Sequence, residues 1–358
     1  MKVTFANWGN YNIPFKTLFE GLGLEVILPE RNNPRDIEEG VKLSPELYCF
    51  PLKVNVGNYL SAIKKGADTI FMWENIGGSC RFRYYWMVQE KILREAGFNI
   101  KIVNINVRNF PRLIRKITKE SGASIWQVLR AFYLAIQKLK FVEELEKKSC
   151  YLRPREIIQG QTDNLVKKIL DKLNVFPSTN LRDFLKLKKE AKEEISKIKI
   201  DKNKKVLKVG LIGEIYTVSD ETINYELEKK LGKMGVEAHR EMSLSYFLKS
   251  GFPWKKIQLM QGIKPYLKSE LGGHAADALK EMLDYKAKRF DGVIHLLPFG
   301  CMPESTVRPI LQMVSIEKKF PLLSISLDEQ TAEAGVQTRL EAFIDLMKER
   351  RKLKTEIN

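Results

Sequence analysis

A short apolar run in the last quarter of the sequence, Val293-Ile-His-Leu-Leu297, is the strongest indication of the fold. Its length is that of a buried strand, and Pro298 and Gly300 end it just before Cys301. Open parallel α/β sheets place ligand-binding groups beyond the carboxyl ends of their strands. We therefore expect Cys301 to lie at the ligand-binding edge of such a sheet.

Seven further strand-length runs alternate with helical patterns along the chain. They are residues 2–6, 24–28, 69–73, 100–105, 206–213, 236–239 and 322–327. This alternation is typical of parallel sheets whose strands are joined by helices. The sequence therefore predicts an α/β protein with two Rossmann- or flavodoxin-like parallel-sheet domains.

The 358 residues exceed what one ordinary core accommodates, so more than one domain is expected. Strand signals disappear over residues 111–203, where apolar residues recur at helical spacing. The predicted divisions are a first α/β domain over 1–110, a helical segment over 111–203 and a second α/β domain over 204–358. Two α/β domains make a cleft between them natural, and we expect the functional site there.

The net charge of +17 comes from 61 Lys and Arg against 44 Asp and Glu. The basic residues are dispersed along helices, and many of them are lysines mixed with glutamates. No zinc finger, RNA-binding aromatic signature or basic heptad region occurs, which argues against nucleic acid as a partner. A solvated lysine-rich surface, or an acidic protein partner attracted by charge, is the favoured interpretation.

The first twelve residues lack the basic and then apolar plan of a signal peptide. Charged residues also interrupt every apolar run before it reaches membrane-spanning length. We therefore expect a cytoplasmic protein with no membrane partner.

Four cysteines in a long cytoplasmic chain do not form a disulfide framework. Cys49, Cys80 and Cys301 each occupy a loop flanked by glycine or proline, whereas Cys150 ends a helical run and is interpreted as structural. Cysteine thiolates are the usual ligands of iron–sulfur clusters, so the three loop cysteines are candidates for one shared cluster. Buried, inert thiols remain an open alternative, because free cysteine is among the most buried residue types.

Three segments of the chain resemble the cysteine segments of 2-hydroxyacyl-CoA dehydratase subunits and their activase-related paralogues. They are Leu47-Tyr-Cys-Phe-Pro-Leu-Lys-Val54, Gly78-Ser-Cys-Arg-Phe82 and His295-Leu-Leu-Pro-Phe-Gly-Cys-Met-Pro-Glu304. The second and third forms are closer to the activase-related branch. The resemblance spans both α/β domains in the same order, and the helical segment is its least diagnostic part.

This resemblance implies a 4Fe–4S cluster held by Cys49, Cys80 and Cys301 between the two α/β domains. It also implies a separate ATP-dependent activator, an ATPase of the ASKHA type with its own cluster, that supplies a low-potential electron. In the dehydratases that electron converts an acyl-CoA thioester to a ketyl radical, so that an unactivated β-proton leaves with the hydroxyl. A homodimer, or a heterodimer with a paralogous subunit, is expected. The chain itself is not the ATPase, because Val209-Gly-Leu-Ile-Gly213 lacks the ending of a P-loop.

Four further residues are candidates for roles beside the cluster, and each has a simpler structural interpretation. Glu74 could supply an oxygen ligand to the open iron. His295 could donate toward the cluster or substrate, although its apolar neighbours suit a core-edge histidine. Glu304 could transfer a proton, but a carboxylate near a helix N-terminus is also electrostatically favourable. His274 follows two glycines and is expected to start a helix, with a substrate contact as the alternative.

Three functions therefore remain open at this level. The chain can be catalytic, delivering an electron to a substrate bound at the open iron. It can be a non-catalytic subunit that carries a cluster for electron transfer. It can also be a two-domain small-molecule binder with buried thiols and no cluster.

Overall fold

The computed structural model describes residues 1–74, 80–106, 110–175, 180–250, 253–269 and 271–357. The chain divides into two compact units. Unit 1 comprises residues 1–145 and 165–197, and unit 2 comprises residues 146–164 and 198–358. The helices between residues 111 and 203 are therefore shared between the two units. Within the described residues, no helix combines the length and the apolar character that crossing a membrane requires.

Unit 1 is built on strands β1 to β4, and at least one helix follows each strand. Its elements are β1 (Lys2–Thr4), α1 (Asn12–Gly21), β2 (Glu25–Val26), α2 (Pro34–Leu43), α3 (Phe50–Lys64), β3 (Thr69–Glu74), α4 (Tyr85–Glu95), β4 (Lys101–Asn106), α5 (Phe110–Ser121), α6 (Ile125–Leu152), α7 (Gln161–Val175) and α8 (Leu181–Ser196). The last turns of α6 and the first turn of α7 belong to unit 2. The four strands form one parallel sheet in the order β2-β1-β3-β4.

Helix α3 is buried around its whole circumference from Phe50 to Ala62, as expected for a helix inside a core rather than on its surface. It packs so closely on α2 that the contact is made through glycines. A Cβ atom on Gly57 would lie 2.0 Å from the carbonyl oxygen of Asp36, and one on Gly40 would lie 2.1 Å from that of Lys53. Any side chain at these two positions would push the helices apart.

Unit 2 repeats the plan of unit 1 with strands β5 to β8. Its elements are β5 (Leu207–Gly213), α9 (Ile215–Ser219), α10 (Leu227–Lys233), β6 (Val236–Arg240), α11 (Leu244–Ser250), α12 (Pro253–Ile263), α13 (Ala275–Ala287), β7 (Gly292–Pro298), α14 (Met302–Glu317), β8 (Leu322–Leu327) and α15 (Glu333–Ile357). The sheet is parallel throughout, in the order β6-β5-β7-β8. The predicted α/β class with two parallel sheets is confirmed.

Both sheets change winding direction between their first and third strands, which are β1 and β3 in unit 1 and β5 and β7 in unit 2. Ligands of open α/β sheets bind in the crevice that opens at such a switch point. Cys80 follows the third strand of unit 1, and Cys301 follows the third strand of unit 2. The fold thus places each of these cysteines after the equivalent strand of its sheet.

Two helices need a structural explanation. The final helix, α15, begins at Glu333, because a turn between Asp328 and Thr331 ends just before it. Helix α2 was not predicted, since its inner face is glycine and backbone rather than a row of apolar side chains.

Candidate functional site

Each of the three loop cysteines is the residue that immediately precedes a helix. Cys49 precedes α3, Cys301 precedes α14, and Cys80 precedes a 3₁₀ turn over Arg81–Tyr84 that leads directly into α4. All three have extended backbone conformation, and none of their side chains caps the helix by a hydrogen bond. Proline in the first turn of α3 and α14 supports a helix start at these positions.

A cysteine at a helix N-terminus faces backbone N–H groups and the positive end of the helix dipole. This electrostatic environment favours the thiolate form of the cysteine, which is the form that binds metals. The donor set therefore fits an iron–sulfur cluster, whose irons take thiolate ligands. Among the described residues, no group of three or more His, Cys, Asp or Glu side chains is already arranged to hold a metal ion. Ligation of one cluster by Cys49, Cys80 and Cys301 stays a prediction.

In unit 1, the segment before Cys49 packs against the segment after Cys80. The Cys49 Sγ contacts the Tyr85 hydroxyl. The Arg81 guanidinium donates to the Leu47 carbonyl and lies 5.3 Å from the centre of the Tyr48 ring. These contacts bring the two cysteine segments of unit 1 together, as the shared-cluster hypothesis requires of this pair.

The Cys150 thiol lies in a different environment. It lies inside α6, is buried, and accepts a hydrogen bond from Arg153 at 3.7 Å. Burial, followed by the nearby Glu228 carboxylate, raises the pKa of the Cys150 thiol well above its usual value. A neutral, inaccessible thiol is neither a nucleophile nor a ready metal ligand, in agreement with the structural interpretation of this residue.

In unit 2, the end of β5 lies beside the strand that leads to Cys301. Gly213 has a φ of 127°, and a Cβ atom there would lie 1.9 Å from the Leu296 carbonyl oxygen. The close approach lets the Glu214 amide donate to that same oxygen at 3.1 Å. The Glu214 carboxylate then caps α9 by accepting from the amides of Tyr216 and Thr217.

His295 and Glu304 form a pair that is completely buried in unit 2. His295 Nε2 lies 2.9 Å from Glu304 Oε2, and both side chains are 0% exposed. The other ring nitrogen of His295 lies 3.5 Å from the Ser324 hydroxyl. The pair joins the first turn of α14 to β7 and so fixes the helix that begins after Cys301. Glu304 Oε1 has no hydrogen-bond partner among the described residues.

A second group of ionisable side chains lies at the start of α13. His274 is the residue before that helix, as expected, and its Nδ1 is 3.7 Å from Asp277 Oδ2. Tyr246 donates from its hydroxyl to Asp277 Oδ1 at 2.7 Å. Burial works against the charged form of His274, but Asp277 and the carboxylates of Glu214 and Glu304 outweigh it and raise the pKa of His274.

Burial also raises the pKa of Glu214, and repulsion from Glu304 acts in the same direction, whereas the two amide hydrogen bonds and His274 oppose it. Glu214, His274 and Glu304 therefore influence one another electrostatically at the carboxyl edge of β5 and β7. We call Glu214, His274, Asp277, His295 and Glu304 the unit 2 ionisable network.

Of the residues singled out beside the cysteines, His295 and Glu304 are brought together, and His274 is electrostatically coupled to Glu304. Glu74 ends β3, and its side chain lies outside the described residues, so its predicted role is unchanged. Sequence reasoning missed Glu214 and Asp277. Glu214 follows the predicted strand over 206–213 directly, so the rule that singled out Cys301 would have found it.

Comparison with known families gives one match. Residues 5–244 match the CoA enzyme activase uncharacterised domain (DUF2229), which is about two thirds of the chain. The matched region includes Cys49 and Cys80 and ends before Cys301. No curated protein matches the chain. The expected relation to the activase-related branch is thus confirmed at the level of the family: the chain belongs to the CoA enzyme activase uncharacterised domain family.

Proposed function

We propose that the chain is the cluster-carrying component of a system of the 2-hydroxyacyl-CoA dehydratase type. Cys49, Cys80 and Cys301 hold one 4Fe–4S cluster, and a separate ATP-dependent activator supplies its electrons. The component delivers these electrons to a substrate bound at the iron that has no cysteine ligand. It works as a homodimer or as a heterodimer with a paralogous subunit.

The observation that carries this proposal is the common position of the three cysteines at helix starts. Cysteine is a poor helix cap compared with Ser, Thr, Asp or Asn. Its use at three helix starts, while Cys150 lies inside a helix, points to a role for the thiolates other than capping. The family match, whose description names a CoA enzyme activase, supports the same system.

When bound, such a cluster supplies a low-potential electron and an open coordination position for an oxygen-containing substrate group. The residues of the chain hold and orient it. The α3 and α14 N-termini stabilise the Cys49 and Cys301 thiolates, and Arg81 adds a positive charge one residue after Cys80. The buried His295–Glu304 pair is a positioning element, because it fixes the first turn of α14 on β7.

The first experiment is anaerobic purification followed by iron and sulfide analysis of the wild type and of four single Cys→Ser variants. We expect about four irons per chain in the wild type. Cys49→Ser, Cys80→Ser and Cys301→Ser should each lose most of this iron, while Cys150→Ser, the matched control, should retain it. A colourless wild type without iron would leave a small-molecule binder as the remaining function. Loss of iron in Cys150→Ser would show that the ligand set is wrong.

EPR spectroscopy of the reduced protein separates the catalytic role from the accessory role. If the chain binds substrate at the cluster, adding acyl-CoA thioesters should change the EPR signal. If only a partner subunit changes the signal, the chain is a non-catalytic electron-transfer subunit of the complex.

A further inference from the structure

Glu281 is a buried carboxyl group on helix α13 of unit 2. It lies on the inner face of α13 and is 5% exposed. Neither of its carboxylate oxygens has a hydrogen-bond partner among the described residues. An ionised carboxylate in such a place would lack both water and hydrogen bonds, which costs several kcal/mol in general.

The charged groups around Glu281 make ionisation still less favourable. Asp277 and Asp284 lie on the same helix, Glu241 follows β6, and Glu304 belongs to α14. The titratable groups that interact with Glu281 are Asp277, Asp284 and Tyr285 from α13, Glu241 from the segment after β6, Tyr246 from α11 and Glu304 from α14. The acidic members of this set repel a negative charge on Glu281, and the two tyrosines are neutral near pH 7.

The nearby lysines are engaged elsewhere and do not neutralise Glu281. Lys280 Nζ bonds to Asp284, and Lys288 pairs with Glu241 at 3.8 Å. A metal ion is also not indicated, because no described group of three or more ligating side chains is arranged to hold one. A proton is the one cation that needs neither a cavity nor a set of converging ligands.

We propose that Glu281 is a proton-binding site that remains a neutral carboxylic acid in the folded protein, and that its ionisation loosens α13 from α11 and α14. The neighbouring helices are held to α13 in part by the Tyr246–Asp277 hydrogen bond and by packing on α14. A new charge on Glu281 repels Asp277, which accepts the hydrogen bond from Tyr246 of α11, and it repels Glu304 of α14. Unit 2 thus contains a pH-sensitive element that does not depend on any cluster.

The direction of the pH effect follows from linkage. Burial, and then repulsion by Asp277 and Glu241, raises the pKa of Glu281 well above its usual 4.5. A carboxyl group whose pKa is higher in the folded than in the unfolded state destabilises the fold as pH rises above the unfolded value. This loss of folding stability grows until the pH passes the pKa of Glu281 in the folded state. Above that pH the ionised group is present in both states.

The test compares thermal unfolding of the full chain between pH 5 and pH 9 for the wild type, Glu281→Gln and the control Glu341→Gln. Glutamine keeps the shape of Glu281 without its charge, and Glu341 is exposed on α15. We expect Glu281→Gln to unfold at the wild-type temperature near pH 5 and roughly 5 °C above it at pH 9. Glu341→Gln should follow the wild type at every pH. A difference between Glu281→Gln and wild type that does not grow with pH would overturn the proposal.

Hydrogen exchange of the wild type gives a second, independent measurement that needs no variant. After correction for the intrinsic pH dependence of exchange, α13 amides should become less protected between pH 6 and pH 9. Helix α3 of unit 1 serves as the internal reference. Equal changes in α3 and α13, or no change in α13, would contradict a switch at Glu281.

Discussion

The two units share a strand order but carry different chemistry at equivalent edges of their sheets. In unit 1, the chain after β1 enters a network of neutral amides. In unit 2, the chain after β5 enters the ionisable network of carboxylates and histidines. The same topology thus supports one loop whose hydrogen bonds come from groups that do not titrate and one site built from groups that do.

The unit 1 network is built from asparagines. Asn58 Oδ1 accepts a hydrogen bond from the backbone N–H of Asn7 at 3.0 Å, and Asn58 Nδ2 donates one to Asn32 Oδ1 at 2.8 Å. Asn7 Oδ1 accepts from Asn12 at 2.7 Å. Asn7, Asn32 and Asn58 are each at most 3% exposed. Because amides do not titrate, these hydrogen bonds hold the loop after β1 equally well at all ordinary pH values.

In these two units, the switch point of the sheet determines where polar groups gather but not what they do. Amide hydrogen bonds fix a loop in place. Buried carboxylates and histidines also fix it, but they exchange protons and so respond to added charge. Unit 2 is therefore the half in which stability and structure should depend on pH.

The largest effect is expected from Glu304→Ala in unit 2. Removing one member of a fully buried pair leaves His295 without its partner, and we expect a loss of about 4 kcal/mol in the free energy of unfolding. Chemical denaturation of the full chain measures it. Glu304→Gln is the matched control, since its amide oxygen still accepts from His295, and it should lose less than half as much. A loss below about 1 kcal/mol for the alanine variant would show that the pair does not hold α14 in place.

A somewhat smaller effect is expected from Asn58→Leu in unit 1. Leucine has a similar size, but it cannot accept from the backbone N–H of Asn7 or donate to Asn32. We therefore expect the free energy of unfolding to fall by about 3 kcal/mol. Denaturation curves at pH 6 and pH 9 should give the same loss, because no group in this contact titrates between them. If the loss of unfolding free energy differed between the two pH values, the hydrogen bonds of unit 1 would depend on pH, contrary to the difference drawn between the two units.

The smallest effect is expected from His274→Gln, and it should depend on pH. The raised pKa of His274 means that its stabilising contribution is complete below the unfolded value near 6.5 and is lost as pH rises through the folded value. Glutamine removes the charge that interacts with Asp277. We therefore expect the free energy of unfolding to fall by roughly 1 kcal/mol at pH 6 and to change little at pH 9. Equal losses at the two pH values would show that His274 is not charged in the folded state.

The class of the fold and the positions of the strands followed from the sequence alone. Strand-length runs alternating with helical patterns predicted the eight strands of the described residues, and β5 and β7, which are buried along nearly their whole length, are the most continuously apolar. The position of Cys301 after its strand followed from the same pattern. The division of the four cysteines into three at loops and one in a helix also needed only local sequence.

Which polar groups come into contact depends on the packing of distant elements. His295 and Glu304 are nine residues apart and lie on different elements, so nothing local predicts their buried contact. Asp277, Glu281 and Tyr246 look like ordinary residues of amphipathic helices until packing removes them from water. Local propensity depends on neighbours along the chain, whereas burial and the pKa shifts that it causes depend on neighbours in space. For that reason the sequence located the edges of the two sheets, and only the packed structure distinguished the asparagine network of unit 1 from the ionisable network of unit 2.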